Sequence, residues 1–333
     1  MKPELQQTSQ YAGLFAFILL ALTACQTPPQ TKQLLATPPA IASAYQIDQV
    51  PFYPQQEFFC GPTTLAEVAG FHGLSKSPDD IAPATFTPAL EGTLQIEMAA
   101  ATRQLGMVAY TQHRADMSQL LSLVAEDIPV IVLQNNSIGW LPQWHYAVVV
   151  GYDMNAKQVI LHTGVTESHH LNFSTFERTW RRANYWLLAM LPADKTSEQL
   201  DPFIYTKACQ DLMNTGQTEA GIAALVSATK QWPDYWLPYF LLGNHYFSSQ
   251  PLQAANWFEQ GLAFAQQQVP YLNNYAVLLS ELGCHNQASS LIEQALQIAP
   301  TDSILLSSQQ TIQAAQQTAG ADEAQCQRLQ VNR

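Results

Sequence analysis

At 333 residues the chain is too long for one ordinary core and fits about two domains. Hydrophobic residues make up 47% of it and charged residues 12%, a balance that excludes a disordered chain. A formal charge of -12 leaves no basic stripe to neutralise phosphates, which argues against nucleic acid or an anionic surface as the partner.

The first 25 residues read as an address. Lys2 precedes an apolar run, Leu14 to Leu22, that is too short to remain in a bilayer as a spanning helix, and Leu22-Thr23-Ala24-Cys25 follows. Those residues resemble the bacterial lipobox. The resemblance implies that residues 1–24 are a signal peptide, that Cys25 becomes the N-terminus and that its sulfur carries a lipid anchor in a membrane. Gln26, in place of an Asp, resembles lipoproteins sent to an outer membrane, so the expected location is the bacterial cell envelope, lipid-anchored and facing the periplasm. Residues 25–44, rich in Pro, Thr, Gln and Ala, are expected to form an extended tether.

From 45 to 195 helical periodicity alternates with short runs of Val, Ile and Tyr, which predicts an α+β domain. Helices are expected at 61–72, 94–105, 115–126 and 174–181, and strands at 106–112, 129–134, 145–152, 157–162 and 185–191. The last three strands are expected to form an antiparallel meander, with Asp153-Met154-Asn155-Ala156 supplying turn chemistry for a hairpin. Asp79, Asp80 and Glu177 are assigned to helix starts and solvated faces.

Residues 201–330 read as helical throughout and match themselves at a fixed period. Gly216 and Gly283, Leu225 and Ile292, Ala228 and Ala295, and Pro233 and Pro300 correspond, and a middle copy pairs Gly221 with Ala254, Leu225 with Phe258 and Ala228 with Gly261. The spacing resembles tetratricopeptide repeats, which implies an all-α domain of stacked helix pairs, closed by a last helix at 303–317 and able to hold a protein partner.

The five cysteines have different contexts. In an oxidising envelope Cys284, in an inter-helix turn, is expected to meet Cys326 in the tail as a disulfide. Cys209 falls on an inner helix face, where a thiol behaves as a small hydrophobe. Cys60 differs, because Gly61-Pro62 after it suits the first turn of a helix and places the sulfur at the positive helix end, where a thiolate is favoured. Gln55 on the approaching chain can aim its amide at the same point and, with the Cys60 N–H, provide donors for an oxyanion. His145 heads a Val-rich strand and can take the thiol proton and return it to a leaving amine. No His pair has zinc-site spacing, so neither a metal nor a cofactor is expected.

Gln55, then Cys60-Gly61-Pro62, then His145-Tyr146 before a Val-rich strand resembles the papain-like cysteine peptidases that process double-glycine bacteriocin leaders. The resemblance implies Gln55 as oxyanion donor, Cys60 as nucleophile and His145 as general base, acting on a peptide or protein substrate. The family usually carries an Asp followed by Pro at the end of the next strand, where this chain has Leu161-His162-Thr163-Gly164. Thr163 or His162, a backbone carbonyl or water would then hold the imidazole. The expected whole is an α+β papain-like peptidase domain followed by an all-α tetratricopeptide-repeat domain, working as a thiol peptidase. The alternatives are a catalytically weak or inactive scaffold and an acyl transferase using the same dyad.

Overall fold

The computed structural model describes residues 26–87, 92–318 and Cys326. Cys25 and the expected signal peptide, residues 1–24, lie outside the described residues. In chain order the elements are α1 (Pro29–Ala36), β1 (Ala44–Gln46), α2 (Cys60–Phe71), α3 (Pro78–Thr85), α4 (Gln95–Gln104), β2 (Val108–Gln112), α5 (Met117–Ala125), β3 (Val130–Asn135), β4 (Trp144–Asp153), β5 (Gln158–Thr163), β6 (Thr166–Asn172), α6 (Phe173–Arg181), β7 (Leu187–Leu191), α7 (Pro202–Asn214), α8 (Thr218–Gln231), α9 (Trp236–Tyr246), α10 (Pro251–Gly261), α11 (Val269–Glu281), α12 (His285–Ile298) and α13 (Ser303–Thr318).

Two compact units result. Among the described residues, one gathers those up to Thr93 with Gln112–Leu187, the other Leu94–Thr111 with those from Leu188 onward. Residues 45–195 thus contribute to both units. Tyr110 illustrates the exchange, since its hydroxyl accepts the N–H of Asp201, the residue that caps α7.

In the first unit β4 is the axis. It pairs antiparallel with β3 along one edge and with β5 along the other, while β1 continues the β3 edge opposite Gly151–Asp153. Gly151 is required there, because a Cβ would fall 2.6 Å from the Tyr45 carbonyl oxygen of β1. Val130–Leu133 and Tyr146–Val150 are buried without interruption, as expected of strands covered on both faces. Leu65 and Val68 of α2, Leu120 and Leu123 of α5, and Phe176 and Trp180 of α6 are likewise buried. Each such side chain contributes about 1.5–3 kcal/mol by leaving water.

Three expectations change. The meander is β4-β5-β6, and residues 187–191 pair with β2 instead. Strand β6 reads Thr-Glu-Ser-His-His-Leu-Asn and is mostly exposed, so no apolar alternation announced it. Residues 26–44 are not an extended tether, since α1 occupies Pro29–Ala36. It has no side-chain cap of its own; the buried Glu177 supplies one, accepting the N–H groups of Gln30 at 3.0 Å and Thr31 at 2.5 Å. Gln30 binds the Ala115 carbonyl and the Met117 N–H, Arg178 donates to the Gln26 carbonyl at 3.0 Å, and Thr31 and Leu34 are buried. Glu177 is thus no solvated residue. A helix this short is marginal by itself, and its partners, all distant in sequence, make it.

In the second unit β2 pairs with β7, and the helices form pairs α7–α8, α9–α10 and α11–α12 followed by α13. Gly243 allows a close approach of α9 and α10, for a Cβ there would lie 2.7 Å from the Phe258 ring. Cys209 is fully buried and burial pushes its thiol far up, as befits an inert core residue. Cys284 and Cys326 are joined as a disulfide. Among the described residues no helix is long and apolar enough to cross a membrane, and no group of His, Cys, Asp or Glu has the makings of a metal site.

Candidate active site

Cys60 opens α2 after a tight turn in which Phe58 takes the left-handed conformation, φ 64°, and Phe59 N–H binds the Gln56 carbonyl. A non-glycine residue held there costs about 1–3 kcal/mol, which the surrounding packing must offset. Gly61 admits Thr93 against the first helical turn, where a Cβ would come within 2.6 Å of the Thr93 Cβ. The Thr93 carbonyl in turn accepts the Tyr146 hydroxyl at 3.2 Å, which ties the start of α2 to the start of β4.

The Cys60 sulfur is half-buried. Burial is the larger influence and pushes its thiol up, while the backbone N–H groups of Tyr146, Gly61 and Cys60 itself pull it back toward the thiolate. The favoured thiolate expected from the helix end alone is therefore overruled by desolvation. Contact with the Tyr146 amide sets the sulfur beside the backbone of His145's neighbour.

His145 is also half-buried, and desolvation holds its pKa below the usual imidazole range. Its Nε2 lies 2.8 Å from Thr163 Oγ1. With Val148 opposite His162, the side chains of Thr163 and His145 share one sheet face and that of His162 takes the other. His162 accordingly bonds elsewhere, to the Val50 carbonyl and the Ser168 N–H. A neutral hydroxyl, not a carboxylate, therefore stands against Nε2 of the imidazole.

Gln55 joins the same cluster, its backbone N–H donating to the Gly164 carbonyl at 2.9 Å, one residue beyond Thr163. Its side-chain Nε2 is buried without a partner. An orphaned amide donor costs about 1–3 kcal/mol, so it belongs where something will arrive to accept it.

Residues 47–186 match the family model described as the Peptidase_C39 like family. This C39-peptidase-like segment contains Gln55, Cys60, His145 and Thr163 and spans less than half of the chain. No curated protein matches the chain. Among solved structures, one described as a C39-like peptidase from Bacillus anthracis is 15% identical, covering 47% of this chain and 100% of that one at a TM-score of 0.39. The peptidase domain of Streptococcus ComA, a bi-functional ABC transporter involved in a quorum-sensing pathway, is 24% identical and covers 43% of this chain and 98% of that one, with a TM-score of 0.36.

Sequence reading missed one polar residue beside the site. Glu67, seven residues after Cys60 on α2, is fully buried; Oε1 accepts the Tyr53 N–H at 3.1 Å, Oε2 has no partner, and burial pushes its carboxyl up to about 8. A Glu inside an otherwise apolar helix, Thr-Leu-Ala-Glu-Val-Ala, was the available signal.

Proposed function

We propose that the chain is an envelope-anchored cysteine peptidase that hydrolyses a peptide or protein. The observation that carries this reading is the partnership of His145 Nε2 with Thr163, which leaves Nδ1 for the thiol proton while the Cys60 sulfur rests against the next residue's amide. The Cys60 sulfur bonds to the substrate carbonyl carbon as its proton passes to His145, and the negative oxygen falls to Gln55 Nε2 and the Cys60 N–H. His145 gives that proton to the leaving amine, and a thioester remains. Water, deprotonated by His145, then attacks the thioester; the acid departs and the proton returns to sulfur.

In this reading Cys25 carries the lipid anchor on the periplasmic side of an outer membrane. The second unit acts as a tetratricopeptide-type array that recruits the substrate or a partner protein. Double-glycine preference is the finer form of the proposal. A second reading, a weakly active or inactive recognition scaffold, is favoured by one observation, the hydroxyl of Thr163 where the family has a carboxylate. Profiling envelope peptides from cells carrying wild type or Cys60→Ala separates the two. Cleavage products that vanish with Cys60→Ala support the peptidase; identical profiles, together with no acyl-thioester trapped on the wild-type protein, overturn it.

A further inference from the structure

Two observations in the first unit converge on one edge. The described chain begins at Gln26, whose carbonyl is bound by Arg178 near the end of α6. One helical turn further, Arg182 donates to the Asn135 carbonyl at 3.1 Å, at the end of β3. Asn135 is the stem of the loop Asn136–Gln143, whose far end returns through a Gln143 carbonyl bond to the Asn136 N–H and a bridge between Ile138 and Leu141. Asn135 Oδ1 also accepts the Ser137 and Gln143 N–H groups, so the loop is shaped.

What that loop presents is unusual for a water-facing surface. Ile138, Trp140 and Leu141 are 45%, 82% and 61% exposed, and Trp144 just after it is 51% exposed. The loop carries no charged residue. Beside it Arg178, Arg181 and Arg182 are the basic end of α6, with Arg181 and Arg182 exposed, a local cluster that departs from the expectation, drawn from the overall charge of -12, that the chain avoids anionic surfaces. The one acidic side chain in α6, Glu177, is buried and spent on α1. Tryptophan and aliphatic tips flanked by arginines are what a headgroup interface accepts: rings and branched chains among the upper acyl carbons, guanidinium groups on phosphates.

We infer that this edge, the Asn136–Gln143 loop with the arginine end of α6, lies on an anionic lipid surface. The inference rests on the proposed anchor at Cys25, because the residue next to it, Gln26, is held at this edge by Arg178. Docked α1 gives the domain no slack to swing away, so the anchor and the loop press the same side to the leaflet. His145 follows Trp144 directly, and the substrate class follows too: a polypeptide presented at the membrane surface.

The test uses the mature polypeptide with Cys25→Ser, unacylated, in co-sedimentation with vesicles of phosphatidylethanolamine and phosphatidylglycerol at 7:3, and with phosphatidylcholine vesicles. Stronger binding to the anionic vesicles is expected, with at least about a tenfold loss of partitioning in Trp140→Ser/Leu141→Ser, since each side chain contributes a factor of that order on leaving water. Arg181→Glu should erase the preference for phosphatidylglycerol. Equal binding to both vesicle types, or partitioning unmoved by the double variant, overturns the inference. Unmoved partitioning with lost hydrolysis of a soluble peptide reassigns the loop to peptide recognition and overturns it as well. Failure of the underlying readings shows separately: an unacylated native N-terminus by mass spectrometry removes the anchor, and unchanged turnover in Cys60→Ala removes the peptidase.

Discussion

In the proposed chemistry Thr163 decides how strong a base His145 is. A hydroxyl can fix the ring and the tautomer, yet it brings no negative charge, so nothing offsets the desolvation that lowers the imidazole pKa. Thr163→Asp should restore that charge, raising kcat/KM by about tenfold or more and moving the acid limb of the pH profile upward. Steady-state rates across pH check this, and a variant with the wild-type profile counts against the assigned role. Gln55 makes the opposite trade. Gln55→Ala should lower kcat by about 10²–10³ with little change in KM. Removal of its unpartnered amide should leave the thermal midpoint equal or higher. A fall in stability together with an unchanged kcat would make Gln55 a packing residue.

At the scale of elements, Glu67 couples α2 to the segment that delivers Gln55, since its partner Tyr53 lies two residues upstream. The folded chain holds the Glu67 proton more tightly than the unfolded chain does, with a carboxyl near 8 against an ordinary 4.5. Stability from this group is therefore full below the ordinary carboxyl range and is lost as pH rises through about 8, by at most about 5 kcal/mol. Glu67→Gln, neutral at every pH, should abolish that decline. Urea unfolding of both proteins at pH 6 and pH 9 tests it, and a wild-type midpoint that holds steady between the two would refute the buried neutral acid. The same scale shows what could be read in advance. Residues 130–135 and 144–153 were legible because uninterrupted burial demands uninterrupted apolar sequence, and α2 because Gly61-Pro62 marks a helix start. The start of helix α3 is legible in Asp79 and Asp80, which fall in its first turn, but not its extent, because Pro83 interrupts the pattern, and α1 is not legible because its stability comes from Glu177, remote in sequence. Gln55, Cys60 and His145 stand out as candidates in the sequence for the same reason in reverse, being residue types whose order is itself a signal. Which of Thr163 and His162 reaches the imidazole was settled only by strand register.

For the molecule as a whole, the two units place their reinforcement differently. The first relies on a sheet with covered faces and the second on helix pairs closed by the Cys284–Cys326 bond, 42 residues apart. A loop of that size should make the bond worth about 4 kcal/mol to the second unit. Cys284→Ser should bring forward the melting of the helical signal while Cys60 labelling at low temperature stays intact, and a melt identical to wild type would show the bond to be dispensable. The clamp of Glu177 on α1 has a consequence for where the protein can work. With Cys25 as the anchoring point, only Gln26, Thr27 and Pro28 separate it from a stapled helix, a leash of roughly 10 Å at full stretch. Under the proposed lipid anchor, so short a leash would turn a diffusing catalyst into a fixture of the surface, its diet set by which chains pass within a molecule's height of the leaflet.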